Sequence, residues 1–204
     1  MNSNEYAFLD EIMENDFLHA KFLNTLSFIE YTGARMILKS QKESDMSFDK
    51  MIHLQEEIRH SLLFKKLALK IYPKELEYDD GGVFCYPISK NYISRIDQPA
   101  QNLTSTENCY FLTSYIIEVR ALSFYQTYNL KLGNKGPFNL NSILNDEEKH
   151  LRDMRESIIS KVAQQHIENL IEIETSIFSE FSREISKELA CNPDESIRYS
   201  NLTI

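Results

Sequence analysis

The sequence has 204 residues, of which 42% are hydrophobic and 26% are charged, and its formal net charge is −9 at pH 7. This length and balance predict one soluble globular domain over residues 1–204, and a negative chain without a clustered basic face argues against nucleic acid or an anionic membrane as a partner. No apolar run approaches the roughly 18 residues of a membrane span and the amino terminus lacks signal-peptide features, so a cytoplasmic location is expected.

Apolar residues at helical spacing predict an all-α fold. A short amphipathic segment over about residues 5–15 leads into a first long helix over about 17–40. Ser47 is a suitable N-cap for a second helix, which runs to about residue 71, where Pro73 stops it. The next segment, about residues 72–104, holds three prolines and is too long for a tight turn, so it is predicted to be a crossover. Every proline is expected to lie outside a helix.

The second half of the chain repeats the helical pattern. A third long helix over about residues 105–130 is expected to end near Gly133, and a fourth begins at Asn139 or Asn141 and runs to about residue 162. A C-terminal helix over about 163–189 carries one apolar stripe, which consists of Ile167, Leu170, Ile171, Ile177, Phe178, Phe181 and Ile185. The expected architecture is a four-helix core over about 17–161, with one long crossover and additional helices at both ends.

Four glutamates and two histidines occur in the order that a four-helix bundle uses to bind two metal ions in its core. One glutamate of each helical hairpin stands alone in an apolar run, and each is followed by a Glu-x-x-His pair. The six candidate ligands are Glu30, Glu57, His60, Glu118, Glu147 and His150. A Glu-x-x-His pair alone is weak, because a chain with five histidines and many glutamates produces such pairs by chance. The placement of the pairs is the stronger signal.

Helical geometry allows the six side chains to meet at one level. Residues three apart share a face, so both members of each Glu-x-x-His pair can point inward. Glu30 lies ten residues before the expected end of its helix, and Glu57 lies ten residues after the expected start of the next, so the two are level in an antiparallel hairpin. Glu118 and Glu147 are level to within about one helical turn. A spacing of 88 to 90 residues relates the two halves as a weak internal repeat.

Buried carboxylates need a compensating charge. Glu30 and Glu118 have apolar neighbours on their helix faces, and no lysine or arginine shares those inner faces. A lone ionised carboxylate there would be costly, whereas two divalent ions would neutralise four carboxylates. Oxygen and nitrogen ligands together suit iron or manganese better than a thiolate-seeking metal. The alternative is that both glutamates are exposed and the histidines are ordinary surface residues.

With these residues the chain resembles the ferritin-like di-iron carboxylate superfamily over about residues 17–161. The resemblance implies a ferritin-like four-helix bundle that holds two iron ions, with a manganese–iron pair as an alternative. It implies that Glu57 and Glu147 bridge the two metals and that Glu30 and Glu118 are terminal ligands.

The resemblance also implies residues that support the ligands. A residue that precedes a bridging glutamate often anchors the histidine of the opposite pair, which makes Asp146 and Glu56 candidates. Arg120 is expected to pair with a carboxylate of this supporting layer.

Two branches of the superfamily share local sequence with the chain. The ligand spacing and the stretch Asp146-Glu-Glu-Lys-His look like aldehyde-deformylating oxygenases, and Ile-Glu118-Val-Arg120 looks equally like the tRNA-modifying hydroxylases. The acidic balance counts against a tRNA substrate. Rubrerythrins are disfavoured because the three cysteines form no Cys-x-x-Cys pair, a spacing that predicts reduced thiols. The small subunits of ribonucleotide reductase are usually much longer.

The leading functional interpretation is a non-haem di-iron oxygenase or oxidase that uses O2 on a small, largely apolar organic substrate. Electrons would come from an external reductase, because the sequence has no flavin or nicotinamide fingerprint, and a homodimer is compatible with the sequence. One alternative is a ferroxidase or iron-handling protein, which predicts a closed multi-subunit shell. Another is a metal-free helical interaction domain.

Five further residues stand near the candidate ligands. Tyr115 and Tyr125 are candidate catalytic residues that could approach the metals, although a core tyrosine with a satisfied hydroxyl group is the favoured alternative. His53, one turn before Glu57, is expected at the helix edge, with a supporting or substrate-binding role as the alternative. Gly33 and Ala34 remove bulk beside Glu30, which would suit either a substrate channel or close helix packing.

Overall fold

The computed structural model describes residues 6–40, 46–133, 139–159 and 162–191, and within these ranges it contains seven helices and no strand. The all-α helical bundle expected from the sequence is confirmed. The helices are α1 (Phe8–Met13), α2 (Asp16–Ser40), α3 (Phe48–Ile71), α4 (Tyr86–Gln101), α5 (Thr106–Leu132), α6 (Asn141–Ile159) and α7 (Gln164–Cys191).

The first hairpin is formed by α2 and α3, which run antiparallel. Ser47 caps α3 as predicted, because its side-chain oxygen accepts a hydrogen bond from the backbone N–H of Lys50 at 3.3 Å. The two helices approach closely where small residues meet, and each of Ser27 and Ser61 donates its hydroxyl to the backbone carbonyl of the other, at 2.7 and 2.8 Å. This register places the middle of α2 level with the middle of α3.

The crossover between α3 and α5 contains a helix that the sequence interpretation did not include. α4 packs against α2, α5 and α7, and it buries Tyr92, Ile93 and Ile96. The expectation that every proline lies outside a helix is wrong. Pro87 stands in the first turn of α4, where a missing N–H costs nothing, and Pro99 lies in its last turn.

The second hairpin is formed by α5 and α6, and α7 then packs against α1, α4 and α5. α6 is described as far as Ile159, and residues 160 and 161 of the predicted helix lie outside the described residues. Most of the predicted α7 stripe is buried, but Ile171 is 36% exposed and lies outside it, and the buried face includes the acidic residue Glu174.

The described residues also bear on membrane-spanning helices and on the state of the cysteines. None of their helices has both the length and the apolar character needed to cross a bilayer. Cys85, Cys109 and Cys191 are free thiols, as their spacing predicts.

Candidate metal centre

The structure brings the six candidate ligands into one buried layer between the two hairpins. They come from the middle of four helices, α2, α3, α5 and α6, and no more than 7% of any of the six residues is exposed. The alternative in which Glu30 and Glu118 face water is therefore wrong. Four carboxylates and two imidazoles are packed in an interior where a charge without a partner is costly.

Glu147 lies between the two histidines of the layer. Its Oε1 atom is 3.2 Å from Nδ1 of His60, and its Oε2 atom is 3.4 Å from Nδ1 of His150. The same nitrogen of His150 is 3.5 Å from Oε1 of Glu118. The Nδ1 atoms of both histidines therefore point toward the carboxylates at the centre of the layer.

The opposite ring nitrogen of each histidine is held by an acidic residue. His60 Nε2 is 3.0 Å from Oδ2 of Asp146, and His150 Nε2 is 2.7 Å from Oε2 of Glu56. Asp146 is itself held by the guanidinium group of Arg59. Such a carboxylate fixes the ring orientation and leaves the other nitrogen free to bind a metal.

Ligand atoms without hydrogen bonds show how well a metal would fit. Among the described residues, the buried side-chain atoms that make no hydrogen bond include His60 Nδ1, His150 Nδ1 and Glu147 Oε2. Buried polar atoms are normally satisfied, so three such atoms facing one another need an explanation. A divalent cation between them would supply the partner that each lacks, and their oxygen and imidazole donors are the ones that iron and manganese accept.

The pKa values of groups in the layer are shifted in the direction that favours bound positive charge. Burial, and then the neighbouring carboxylates of Glu57 and Glu147, raise the pKa of Glu30 well above its usual range. Burial and the charge of Glu118 raise the pKa of Glu147 as well. Burial disfavours the charged ring of His150, but the nearby carboxylates of Glu118 and Glu147, 3.5 and 3.4 Å from Nδ1, outweigh it and raise the pKa of His150 to about 11. The layer therefore attracts positive charge.

No protein-family model, no curated protein and no solved structure matches the chain. Kinship with the di-iron carboxylate superfamily therefore rests on these residues and their arrangement, and it stays a prediction.

The two candidate tyrosines lie in different environments. Tyr125 is buried and donates its hydroxyl group to Oε1 of Glu30, so it supports one of the candidate ligands directly. Tyr115 is partly buried and packs against the hydrophobic core. Of the two, only Tyr125 lines the cavity beside the candidate ligands.

Arg120 pairs with a carboxylate that the sequence interpretation did not identify. Its Nε atom lies 2.9 and 3.0 Å from the two carboxylate oxygens of Glu174 on α7. The expected partner was an acid beside the ligands such as Asp146 or Glu56. The sequence offered no signal for the observed pair, because Glu174 lies 54 residues away on a helix outside the predicted four-helix core.

His53 is the residue of the site that the sequence interpretation misplaced, because it is buried instead of lying at the helix edge. Its Nε2 atom is 3.1 Å from Oε1 of Glu57 and 3.3 Å from Oε1 of Glu118, and its Nδ1 atom is 2.7 Å from the hydroxyl of Tyr110. Burial opposes its charge, but hydrogen bonds to Glu118 and Glu57 raise the pKa of His53 to about 10. Its spacing of four from Glu57 was the available signal.

A mostly apolar cavity of about 90 Å³ adjoins the carboxylate layer. Its wall includes all four candidate glutamates, and apolar side chains of α2, α4, α5 and α7 form most of the remainder. Those from α4, α5 and α7 include Ile93, Ile117, Ala121, Phe124, Phe178 and Phe181. A molecule in this cavity would touch both hydrocarbon and the candidate metal ligands.

Gly33 creates the space that the carboxylate of Glu57 occupies. A Cβ atom built at Gly33 would lie 2.9 Å from Oε2 of Glu57, which is closer than real Cβ contacts allow. The obstructed atom is the end of a flexible side chain, so an alanine there would displace the carboxylate without breaking the backbone. The close approach explains why a glycine stands inside α2.

We expect Gly33→Ala to separate metal binding from folding. The metal-free protein should be as stable as the wild type or more stable by about 0.5–1 kcal/mol, because alanine is the better helix former. Its affinity for divalent metal should fall by about 10-fold or more, because Glu57 is displaced. Thermal melts and metal titrations measure the two effects, with Thr32→Ala on the same helix as the control. Unchanged metal affinity in Gly33→Ala would contradict this role.

Proposed function

We propose that the protein is a non-haem di-iron oxygenase or oxidase that uses O2 on a small, largely apolar organic substrate. The observation that supports this function best is the apolar cavity, because the four candidate glutamates form part of its wall. Mostly apolar pockets with a few converging polar groups are typical of sites for small organic molecules.

The size of the cavity supports a small substrate. A dry cavity of about 150 Å³ in another protein is large enough for benzene, and this one measures about 90 Å³. Its present volume therefore suits O2 or a molecule of a few heavy atoms, and a larger substrate would need side chains such as Phe178 or Phe181 to move. In this proposal these rings, which line the cavity, would keep water away from the carboxylate layer.

Each residue of the layer has a distinct role in this proposal. Glu57 and Glu147 would bridge the metals. Glu57 belongs to two groups that could each hold an ion, one with Glu30 and His60 and one with His53, Glu118 and His150, and Glu147 faces both His60 and His150. Glu30 and Glu118 would be terminal ligands, and the hydroxyl group of Tyr125 orients Glu30.

The histidines would bind metal through Nδ1. Asp146 and Glu56 hold the Nε2 side of His60 and His150, which fixes both rings with Nδ1 pointing inward. Bound iron would supply the electrons and the open coordination position that O2 chemistry requires. An external reductase would restore those electrons, and a manganese–iron pair is the alternative metal content.

The decisive experiment is reconstitution of the purified protein with ferrous iron under anaerobic conditions, followed by removal of unbound metal and a count of iron per chain. We expect two ions per chain in the wild type and fewer than two in Glu118→Gln, with the exposed residue Glu172 changed to Gln as the control. No stoichiometric metal in the wild-type protein would refute the proposal.

Air oxidation of the loaded protein distinguishes an oxygenase from an iron-handling protein. The proposed oxygenase should consume O2 without taking up further iron, and its mass in solution should be that of a monomer or a small oligomer. A closed multi-subunit shell that oxidises many ferrous ions per chain would favour the ferroxidase alternative.

A further inference from the structure

Two groups of side chains could each hold an ion, and their compositions differ; Glu147, which lies between His60 and His150, belongs to neither group. One consists of Glu30, Glu57 and His60, and the other of His53, Glu57, Glu118 and His150. Within each group one ligand atom per residue lies within 4.8 Å of all the others. Glu57 is shared, so the groups describe two adjacent positions, one with a single imidazole and one with two.

We infer that the two metal positions are chemically unlike and that His53 is a seventh ligand, which makes one of them rich in imidazole. The inference rests on the proposed function, in which this layer binds two metal ions. It adds a residue outside the two Glu-x-x-His pairs and assigns it to the position of His150 and Glu118.

The surroundings of His53 support a role as a ligand. Its Nε2 atom points at Glu57 and Glu118, and the hydroxyl of Tyr110 holds Nδ1 on the other side of the ring at 2.7 Å. His60 and His150 show the same pattern, with one nitrogen toward the layer and the other held from behind. An orienting partner on the far nitrogen is characteristic of metal-binding histidines.

His53 and His150 also stand together on one side of the layer. Their ring centroids are 4.3 Å apart, and both rings lie against the carboxylate of Glu118. Two imidazoles within reach of one carboxylate can bind a single ion. The competing role for His53 is that of a hydrogen-bonding counter-charge for Glu57 and Glu118, which needs no metal.

Unlike ligands give the two positions different affinities. Imidazole suits the later divalent metals of the first transition row, and carboxylate-rich positions suit manganese. One equivalent of cobalt(II) should therefore enter the position of His53 and His150 first. A second equivalent should bind more weakly beside Glu30 and His60.

Cobalt(II) absorption and calorimetric titrations test the inference. We expect two resolved steps in the wild-type protein, and we expect His53→Gln to weaken the tighter step at least 10-fold while the weaker step survives. His60→Gln should do the reverse. Glutamine can still donate a hydrogen bond to the carboxylates but carries no charge, so the competing role predicts that His53→Gln does not weaken the tighter step and leaves the cobalt spectrum unchanged. That result would overturn the inference.

A measurement on the unmodified protein removes any dependence on how the variant folds. X-ray absorption of wild-type protein with one equivalent of cobalt(II) should show two imidazole nitrogens on the metal, whereas the six-ligand arrangement provides only one. A count of one overturns the role of His53 but leaves the two-metal proposal intact. Failure of the wild-type protein to bind cobalt(II) would overturn both.

Discussion

Glu30→Gln should stabilise the protein without metal and destabilise it with metal. Without metal, the substitution removes one of four crowded carboxylates, and burial with the nearby charges of Glu57 and Glu147 makes ionised Glu30 unfavourable. Glutamine keeps the shape of the glutamate side chain and an oxygen that can accept a hydrogen bond from the hydroxyl group of Tyr125. We expect a gain of about 1–2 kcal/mol in the free energy of unfolding, which for a chain of this size raises Tm by about 2–8 °C.

With metal the order of stability should reverse. An ion present at about 100 times its dissociation constant stabilises the folded state by about 2.7 kcal/mol, and Glu30→Gln should lose most of the contribution of one ion. Thermal melts in chelator and in anaerobic ferrous iron measure both effects. The control is Glu172→Gln, an exposed change on α7 that should leave both melts unaltered. If Glu30→Gln is less stable than the wild type in chelator, the carboxylates of the layer do not destabilise the metal-free protein by crowding. If added iron raises the Tm of Glu30→Gln as much as that of the wild type, Glu30 is not a ligand.

The ligand layer could be predicted because each of its signals is local. A solitary acid in an apolar run and a pair of residues three apart depend only on helix periodicity. The level of each residue depends on where a helix begins and ends, and Ser47 and Pro73 mark those points for α3. Burial of Glu30 and Glu118 follows once the apolar faces of the helices meet.

His53 and α4 were harder to predict for different physical reasons. His53 shares a helix face with Glu57, but its position in the second turn of α3 is compatible with either burial or a helix edge until α5 packs over it with Tyr110. α4 begins after Cys85 and contains two prolines, which favour a loop when only the neighbouring sequence is considered. Its burial of Tyr92 and Ile93 against the bundle is a tertiary effect that outweighs those local preferences.

The pairing of Arg120 with Glu174 is also a product of tertiary structure. Arg120 is on α5, and its partner lies on the buried face of α7, whose rotation no local pattern fixes to the required precision. The hydroxyl group of Tyr92, from α4, donates to the same carboxylate. Three helices therefore meet at one buried ion pair on the wall of the cavity.

We expect Arg120→Met to cause one of the largest losses of stability in the protein. The side chain of Arg120 is 15% exposed and that of Glu174 is 4% exposed, so the substitution leaves a buried carboxylate without its cation. The guanidinium carbon also lies 4.4 Å from the centroid of the Phe178 ring, a contact that methionine replaces only in part. Breaking a buried pair in this way costs about 3 kcal/mol or more, which lowers Tm by about 6–12 °C.

Arg95→Met supplies the matched control, because Arg95 also joins a helix of the bundle to a glutamate of α7. Its Nη2 atom is 2.8 Å from Oε2 of Glu180, but the side chains are 39% and 36% exposed, so its loss should cost about 0–1 kcal/mol. The double variant Arg120→Met/Glu174→Met should recover much of the loss, since it removes the stranded charge together with its partner. Equal melts for the two single variants would show that solvent screens the Arg120–Glu174 pair as effectively as the exposed one.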